Sequence, residues 1–202
     1  EEPATESAPL TPLSLYAETK VEFEQAVLQR VGHVDFEPVI LRLATVFGLS
    51  PRMRFDLTIN EFSHALASGQ KLSVYDKDTW RPYCHVLDVC GAVARVLEAP
   101  GTAVAGEIFN VGSDENNFTK EGIVGEVLRC VDGDVEYGGS GGDRRDYRVS
   151  FAKIRERLDF RGRFGLRAVI PQLVQAVHGG LYRLDNGSRS AYGNYEVRAG
   201  LA

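Results

Sequence analysis

Three cysteines in 202 residues, Cys84, Cys90 and Cys130, form no Cys-x-x-Cys pair and are odd in number. That excludes a disulfide framework and a structural zinc site, and it fits a reducing cytoplasm. The four histidines are scattered, and Cys84-His85 with Cys90 lacks the further ligands that a metal needs, so these residues read as packing or surface groups. Positive charge is also in short supply. With 23 Lys and Arg against 28 Asp and Glu, the formal net charge of −5 argues against general affinity for nucleic acid or an anionic membrane. No run approaches the eighteen or so continuous apolar residues of a membrane span, and the first residues show no basic stretch followed by an apolar one.

One further absence concerns glycine in context. Gly138-Gly-Ser-Gly-Gly142 is rich in glycine, but it follows no long buried strand and opens no helix with Gly-x-Gly-x-x-Gly spacing. A plain turn or lid fits it better than a phosphate cradle. The charged run Asp143-Arg-Arg-Asp-Tyr147 beside it reads as a solvated face.

What is present is a rhythm of helices and buried strands. After a proline-bearing loop, Ser14 is placed to cap a helix over Leu15 to Val31, which Gly32 ends. Its apolar residues make two stripes: Tyr16, Phe23 and Val27 with Lys20, and Ala17, Val21, Leu28 and Val31. So wide a surface predicts burial on two sides. The near-continuous apolar run from Pro38 to Gly48 predicts a buried parallel strand. Helix and strand in that order give the βα rhythm of a doubly wound sheet, whose ligands sit beyond the carboxyl ends of the strands. Shorter mixed elements follow: a helix over Leu57 to Ser68, a strand at Lys71 to Tyr75, an extended segment at Trp80 to Val86 and a helix capped by Asp88. A strand at Glu107 to Val111, a helix opened by Thr119, and helices near 152–158 and 166–179 complete the pattern. At this length the chain makes one large domain or one and a half.

Within the first helix, Tyr16 and Lys20 are four residues apart and share a face. A phenol is a poor base near neutral pH, and a fixed cation beside it favours the phenolate, which could exchange a proton with a hydroxyl or ketone. A surface lysine resting its stem on a tyrosine has the same spacing, so the pair alone does not choose between the two.

Four blocks do choose. Pro12-x-Ser14-x-Tyr16-x-x-x-Lys20, Leu41-Arg42-Leu-Ala-Thr45-Val-Phe-Gly48, Trp80-Arg81-Pro-Tyr-Cys-His85-Val-Leu-Asp88 and Glu107-Ile-Phe-Asn110-Val-Gly112 occur in this order. Order and spacing resemble the extended short-chain dehydrogenases/reductases, the NAD-dependent nucleotide-sugar epimerases and dehydratases, over about residues 3 to 180. The resemblance implies an α/β fold: the terminal part of a Rossmann-type doubly wound sheet plus a small mixed α/β substrate-binding domain. Residues 1–50, with later segments at about 80–112, would belong to the NAD-binding domain. Residues 51–182 would mainly bind the sugar nucleotide, and 183–202 would be a polar tail. Family members begin with a strand, a Gly-x-x-Gly-x-x-Gly turn and a helix, and carry a catalytic Ser or Thr before the Tyr helix. Those parts are not in this sequence, so the chain is expected to be the C-terminal part of such a protein.

Carried over by position, Tyr16 is the acid/base and Lys20 holds the nicotinamide ribose. The backbone at Leu43 and Ala44 lies beside the nicotinamide of NAD, with NADP also open. Thr45 stands where many members place an Asn on the sugar nucleotide. Asp56 and Leu57 open a helix facing the substrate diphosphate, which Arg81 would grip with Arg144 or Arg145 as a second guanidinium. The implied partners are a nucleoside-diphosphate sugar and a second copy of the chain in a homodimer. A keto-sugar reductase or decarboxylase, or a non-catalytic dinucleotide-sensing relative, would show the same blocks.

Overall fold

The computed structural model describes residues 2–142 and 145–182. The tail 183–202 lies outside them. In chain order the elements are α1 (Leu15–Leu28), β1 (Ile40–Leu43), β2 (Thr45–Phe47), α2 (Thr58–Ala67), β3 (Leu72–Val74), β4 (Trp80–His85), α3 (Val86–Glu98) and α4 (Gly101–Val104). They continue with β5 (Ile108–Val111), β6 (Asn117–Thr119), α5 (Lys120–Leu128), β7 (Val135–Tyr137), α6 (Ala152–Leu158) and α7 (Leu166–His178). The chain is an α/β protein with parallel strand pairs.

The apolar run after Pro38 forms two strands instead of one. β1 runs parallel to β5, with Ile40 opposite Ile108 and Leu43 opposite Val111. At Ala44, whose N–H still donates to the Val111 carbonyl at 3.0 Å, the chain changes partner. β2 then pairs with β4, Thr45 opposite Tyr83 and Phe47 opposite His85. β4 in turn takes antiparallel β6 on its other side, and β3 pairs with β7 in parallel. A continuous apolar pattern signals burial, but hydrogen-bond partners are set across the sheet and leave no periodic trace in one strand.

Two apolar cores result. The larger gathers Ile59, Phe62 and Leu66 of α2, Ile123 and Val127 of α5, and Val169, Ile170 and Leu173 of α7 over Phe47 and Tyr83. The smaller joins Ala44, Phe109 and Val111 to Ala92 of α3 and to Ile154 and Leu158 of α6.

Helix α1 differs from expectation. Ser14 caps it, its hydroxyl oxygen accepting from Ala17 N at 3.2 Å, but none of its residues is buried. The stripe of Ala17, Val21 and Leu28 is half-buried, whereas Tyr16, Lys20 and Phe23 face solvent. One side of the helix is covered, not two. Helix α3 also begins earlier than its sequence suggests. His85 is the cap, its Nδ1 accepting from Leu87 N at 3.3 Å. The buried Asp88 carboxylate instead accepts from Arg163 N (2.9 Å) and Phe164 N (3.1 Å), fastening a distant loop. No helix among the described residues is long and apolar enough to cross a membrane.

Candidate active site

Helix α1 runs opposite to the strands beside it. Val31, just past its C-terminal end, lies against Gly106 at the entrance to β5, where an added Cβ would come within 3.2 Å of the valine. Gly106 also has φ +71°, so glycine is required there on both counts. The opposite end of α1, which carries Tyr16 and Lys20, therefore points toward the carboxyl edge of β1 and β5. That edge is where ligands of parallel α/β sheets bind.

Tyr16 is 73% exposed, and the Lys20 Nζ lies 5.5 Å from the centre of its ring. Leu43, the last residue of β1, is half exposed, while Ala44 is buried and Thr45 partly so. Tyr16, Lys20, Leu43, Ala44 and Thr45 thus belong to one edge of the molecule.

A second group of predicted residues gathers around β4. Arg81 is buried, only 7% exposed, with Nη1 donating to the Trp80 carbonyl at 2.8 Å and the guanidinium 5.5 Å from the Tyr147 ring centre. Stacking on an aromatic face fixes the plane of the fork. The segment carrying Arg145 returns to the same strand: Trp80 N donates to the Asp146 carboxylate at 2.8 Å and Tyr147 N to the Trp80 carbonyl at 3.2 Å. Arg145 is thereby brought to the Arg81 strand, and Arg144 lies outside the described residues. Arg148 stacks on the Trp80 ring at 5.3 Å, and an open cleft of about 410 Å³ lies among Trp80, Asp146, Tyr147, Arg148, Glu2 and Ala4. Of the charged run at 143–147, residues 145–147 are therefore part of a built surface. Tyr147 went unnoticed in the sequence because its partner is 66 positions away.

Asp56 and Leu57 stand at the head of α2 as expected, but Asp56 is already occupied. Arg54 holds it in a two-point pair, Nε to Oδ1 at 2.7 Å and Nη2 to Oδ2 at 2.6 Å. Leu57 is the cap and supplies no side-chain acceptor, so the first amides of α2 keep their donors without one. Burial first, and then the Asp56 charge, raise the Glu61 carboxyl above its usual range in the same turn. Arg54 was passed over in the sequence, although Arg-x-Asp before a helix start was there to be read.

Tyr83 offers a control on Tyr16. It is buried, and burial above all pushes its phenol up to about 12. That phenol stays neutral and cannot act as a base in water. Among the described residues no group of three or more His, Cys, Asp or Glu could hold a metal ion.

Known structures share this fold. The dTDP-glucose 4,6-dehydratase of Bacillus anthracis in complex with NAD superposes with a TM-score of 0.76 at 25% identity, over 89% of this chain and 57% of that one. DesIV of Streptomyces venezuelae, a dTDP-glucose 4,6-dehydratase, gives 0.77 at 25% over 90% and 57%. The UDP-glucose 4-epimerase of Thermus thermophilus with NAD gives 0.76 at 24% over 88% and 58%. The chain thus spans under three fifths of the length of these structures. The model of the NAD dependent epimerase/dehydratase family matches residues 1–112, more than half of the sequence, and the chain belongs to that family.

Proposed function

We propose that this chain carries the proton-transfer pair and the substrate arm of an NAD-dependent epimerase or dehydratase. Its substrate would be a nucleoside-diphosphate sugar, converted through a transient keto intermediate. The observation that carries this reading is the exposed Tyr16, with Lys20 beside it, at the carboxyl edge of a parallel sheet. The similar structures named above, all three described with NAD, support it.

NAD, when bound, would accept and return a hydride at the sugar carbon. Its nicotinamide end would lie at the strand end of Leu43 and Ala44, with Lys20 holding the ribose. Tyr16 takes the proton of the sugar hydroxyl as the carbonyl forms and returns it when the carbonyl is reduced. Thr45 faces the sugar nucleotide at the same edge. Arg81, held flat by Tyr147, donates to the diphosphate, with Arg145 as second donor and the first amides of α2 after Leu57 as further support. Asp56 repels an anion, and its pairing with Arg54 offsets that charge.

The domain division proposed follows the two cores only in part: residues 1–50 and about 80–112 go to the dinucleotide side and 51–182 mainly to the sugar-nucleotide side, although Phe47 and Tyr83 pack in the larger core. Ile154 and Leu158, which pack in the smaller core, would be the strap between them. A homodimer in the cytoplasm belongs to the same proposal. Because Ala17, Val21 and Leu28 face the chain's own sheet, the apolar surface of α1 left for a second copy is that of Leu15 and Phe23, which are 75% and 65% exposed. The test is turnover of UDP-glucose and dTDP-glucose by the intact protein with NAD. A fall of about 10²-fold or more on both in Tyr16→Phe supports the assignment, and unchanged turnover refutes it.

A further inference from the structure

Helix α1 carries Tyr16 yet buries none of its side chains, so apolar packing alone does not set where the phenol stands. What meets the helix instead is Arg42 of β1. Its Nε donates to Glu24 Oε2 at 2.9 Å and its Nη2 to Glu24 Oε1 at 2.6 Å, while Nη1 donates to the Glu6 carbonyl at 3.0 Å. Glu6 is itself fastened to the next strand. Its Oε1 accepts from Asn110 N at 2.8 Å, and Asn110 is the residue opposite Arg42 in the β1–β5 register. The Arg42 and Glu24 side chains are only 21% and 12% exposed. One guanidinium thus joins the approach loop, the helix and both strands.

We propose that Arg42 is a positioning residue for Tyr16, clamping α1 through Glu24 and the entering loop through Glu6 so that the phenol is held at the carboxyl edge of β1. The proposal rests on the proton-transfer role given to Tyr16 above. Tyr16 lies between the two anchors. Glu24 is eight residues further on, about 12 Å along the axis, and Glu6 precedes the Ser14 cap by the same number of positions. A two-point guanidinium–carboxylate fork fixes a plane as well as a distance, so it restrains the roll of the helix along with its height. Roll matters because Tyr16 and Glu24 lie on different faces, and turning the inner face turns the phenol. The Glu24 hydrogen bond, opposed by burial, raises the guanidinium above its ordinary value, so Arg42 stays charged.

The test uses the intact protein with NAD and UDP-glucose or dTDP-glucose, whichever it turns over, in the variants Arg42→Lys, which keeps the charge but loses the fork, and Glu24→Gln. Amide exchange in α1 should quicken about tenfold or more while α2, α5 and α7 keep their protection, as expected for local loosening. In the same variants kcat should fall about tenfold or more, with KM within about twofold, because a displaced catalytic group costs rate and not affinity. Added to Tyr16→Phe, Arg42→Lys should cause no further loss. Unchanged exchange in α1 would overturn the clamp, and losses that multiply in the double variant would show that Arg42 does not act through Tyr16. Full turnover in Tyr16→Phe alone would refute the proton-transfer reading and the catalytic part of this proposal with it, and exchange would still decide the clamp.

Discussion

The two sides of this molecule hold their candidate functional residues by opposite means. Around α2, α5 and α7, side chains such as Ile59, Ile123 and Ile170 are essentially inaccessible to water, and Arg81 is set into the edge of that core. Around α1 nothing is buried, and the helix is tied to its sheet by Arg42, Glu24 and Glu6. An apolar core resists any displacement but says little about direction, whereas a charged fork has a direction built in. A group that must only be present can sit on a core. A group that must aim gains from a fork.

The contrast can be broken most forcefully at the core. Ile170→Ala should cost about 2–5 kcal/mol by chemical denaturation, the range for a large-to-small change at a fully buried site. Val21→Ala, on the half-buried face of α1, should cost less than about 1 kcal/mol, and equal costs would erase the distinction. Tyr16→Phe comes next. It should lower turnover by about 10²-fold or more while leaving the denaturation midpoint where it was, since only an exposed hydroxyl is lost. Smaller again is Arg81→Ala, which should raise KM for the sugar nucleotide about tenfold and lower kcat only modestly, because a diphosphate is held alike in ground and transition states. Steady-state kinetics in which kcat collapses at constant KM would place Arg81 at the reacting end instead.

The smallest effect is a pH dependence on the packed side. His85 lies between the rings of Phe47 (5.5 Å, edge-on) and Phe164 (4.4 Å). Burial lowers its pKa from 6.5 despite the Asp88 charge, which acts the other way. The neutral ring is therefore the folded form. Its contribution to stability is complete above the unfolded value near pH 6.5 and is lost as pH falls from there through the lowered folded value. The melting temperature of the intact protein should decline below that pH, and His85→Gln should flatten the decline. An identical slope in the variant would assign the decline to another group.

Several features were legible because their signals are local. Ser14 and Thr119 cap the helices they were assigned, and Trp80 to His85 forms the extended segment carrying Arg81. A cap bonds to an amide three residues away, so the sequence around it contains both partners. The division of the run after Pro38 into β1 and β2 was not legible, since Val111 and Tyr83, the partners on either side of the break, lie tens of residues off. Nor was the covered side of α1. Both of its stripes are apolar, and which one meets the sheet is set by contacts with residues far along the chain.

The sequence by itself determined the order of helices and strands, the absence of a disulfide framework, and the four spaced blocks that mark the family. Each depends on residue type and short separation along the chain. Tertiary structure alone decided that Tyr147 lies over Arg81, that Arg54 occupies Asp56, and that Asp88 fastens residues 163 and 164 instead of capping α3. It also decided that the helix bearing Tyr16 is joined to a guanidinium from the neighbouring strand. A long polar side chain has many partners within reach in sequence, and only the packed chain selects which of them shares its low-dielectric surroundings.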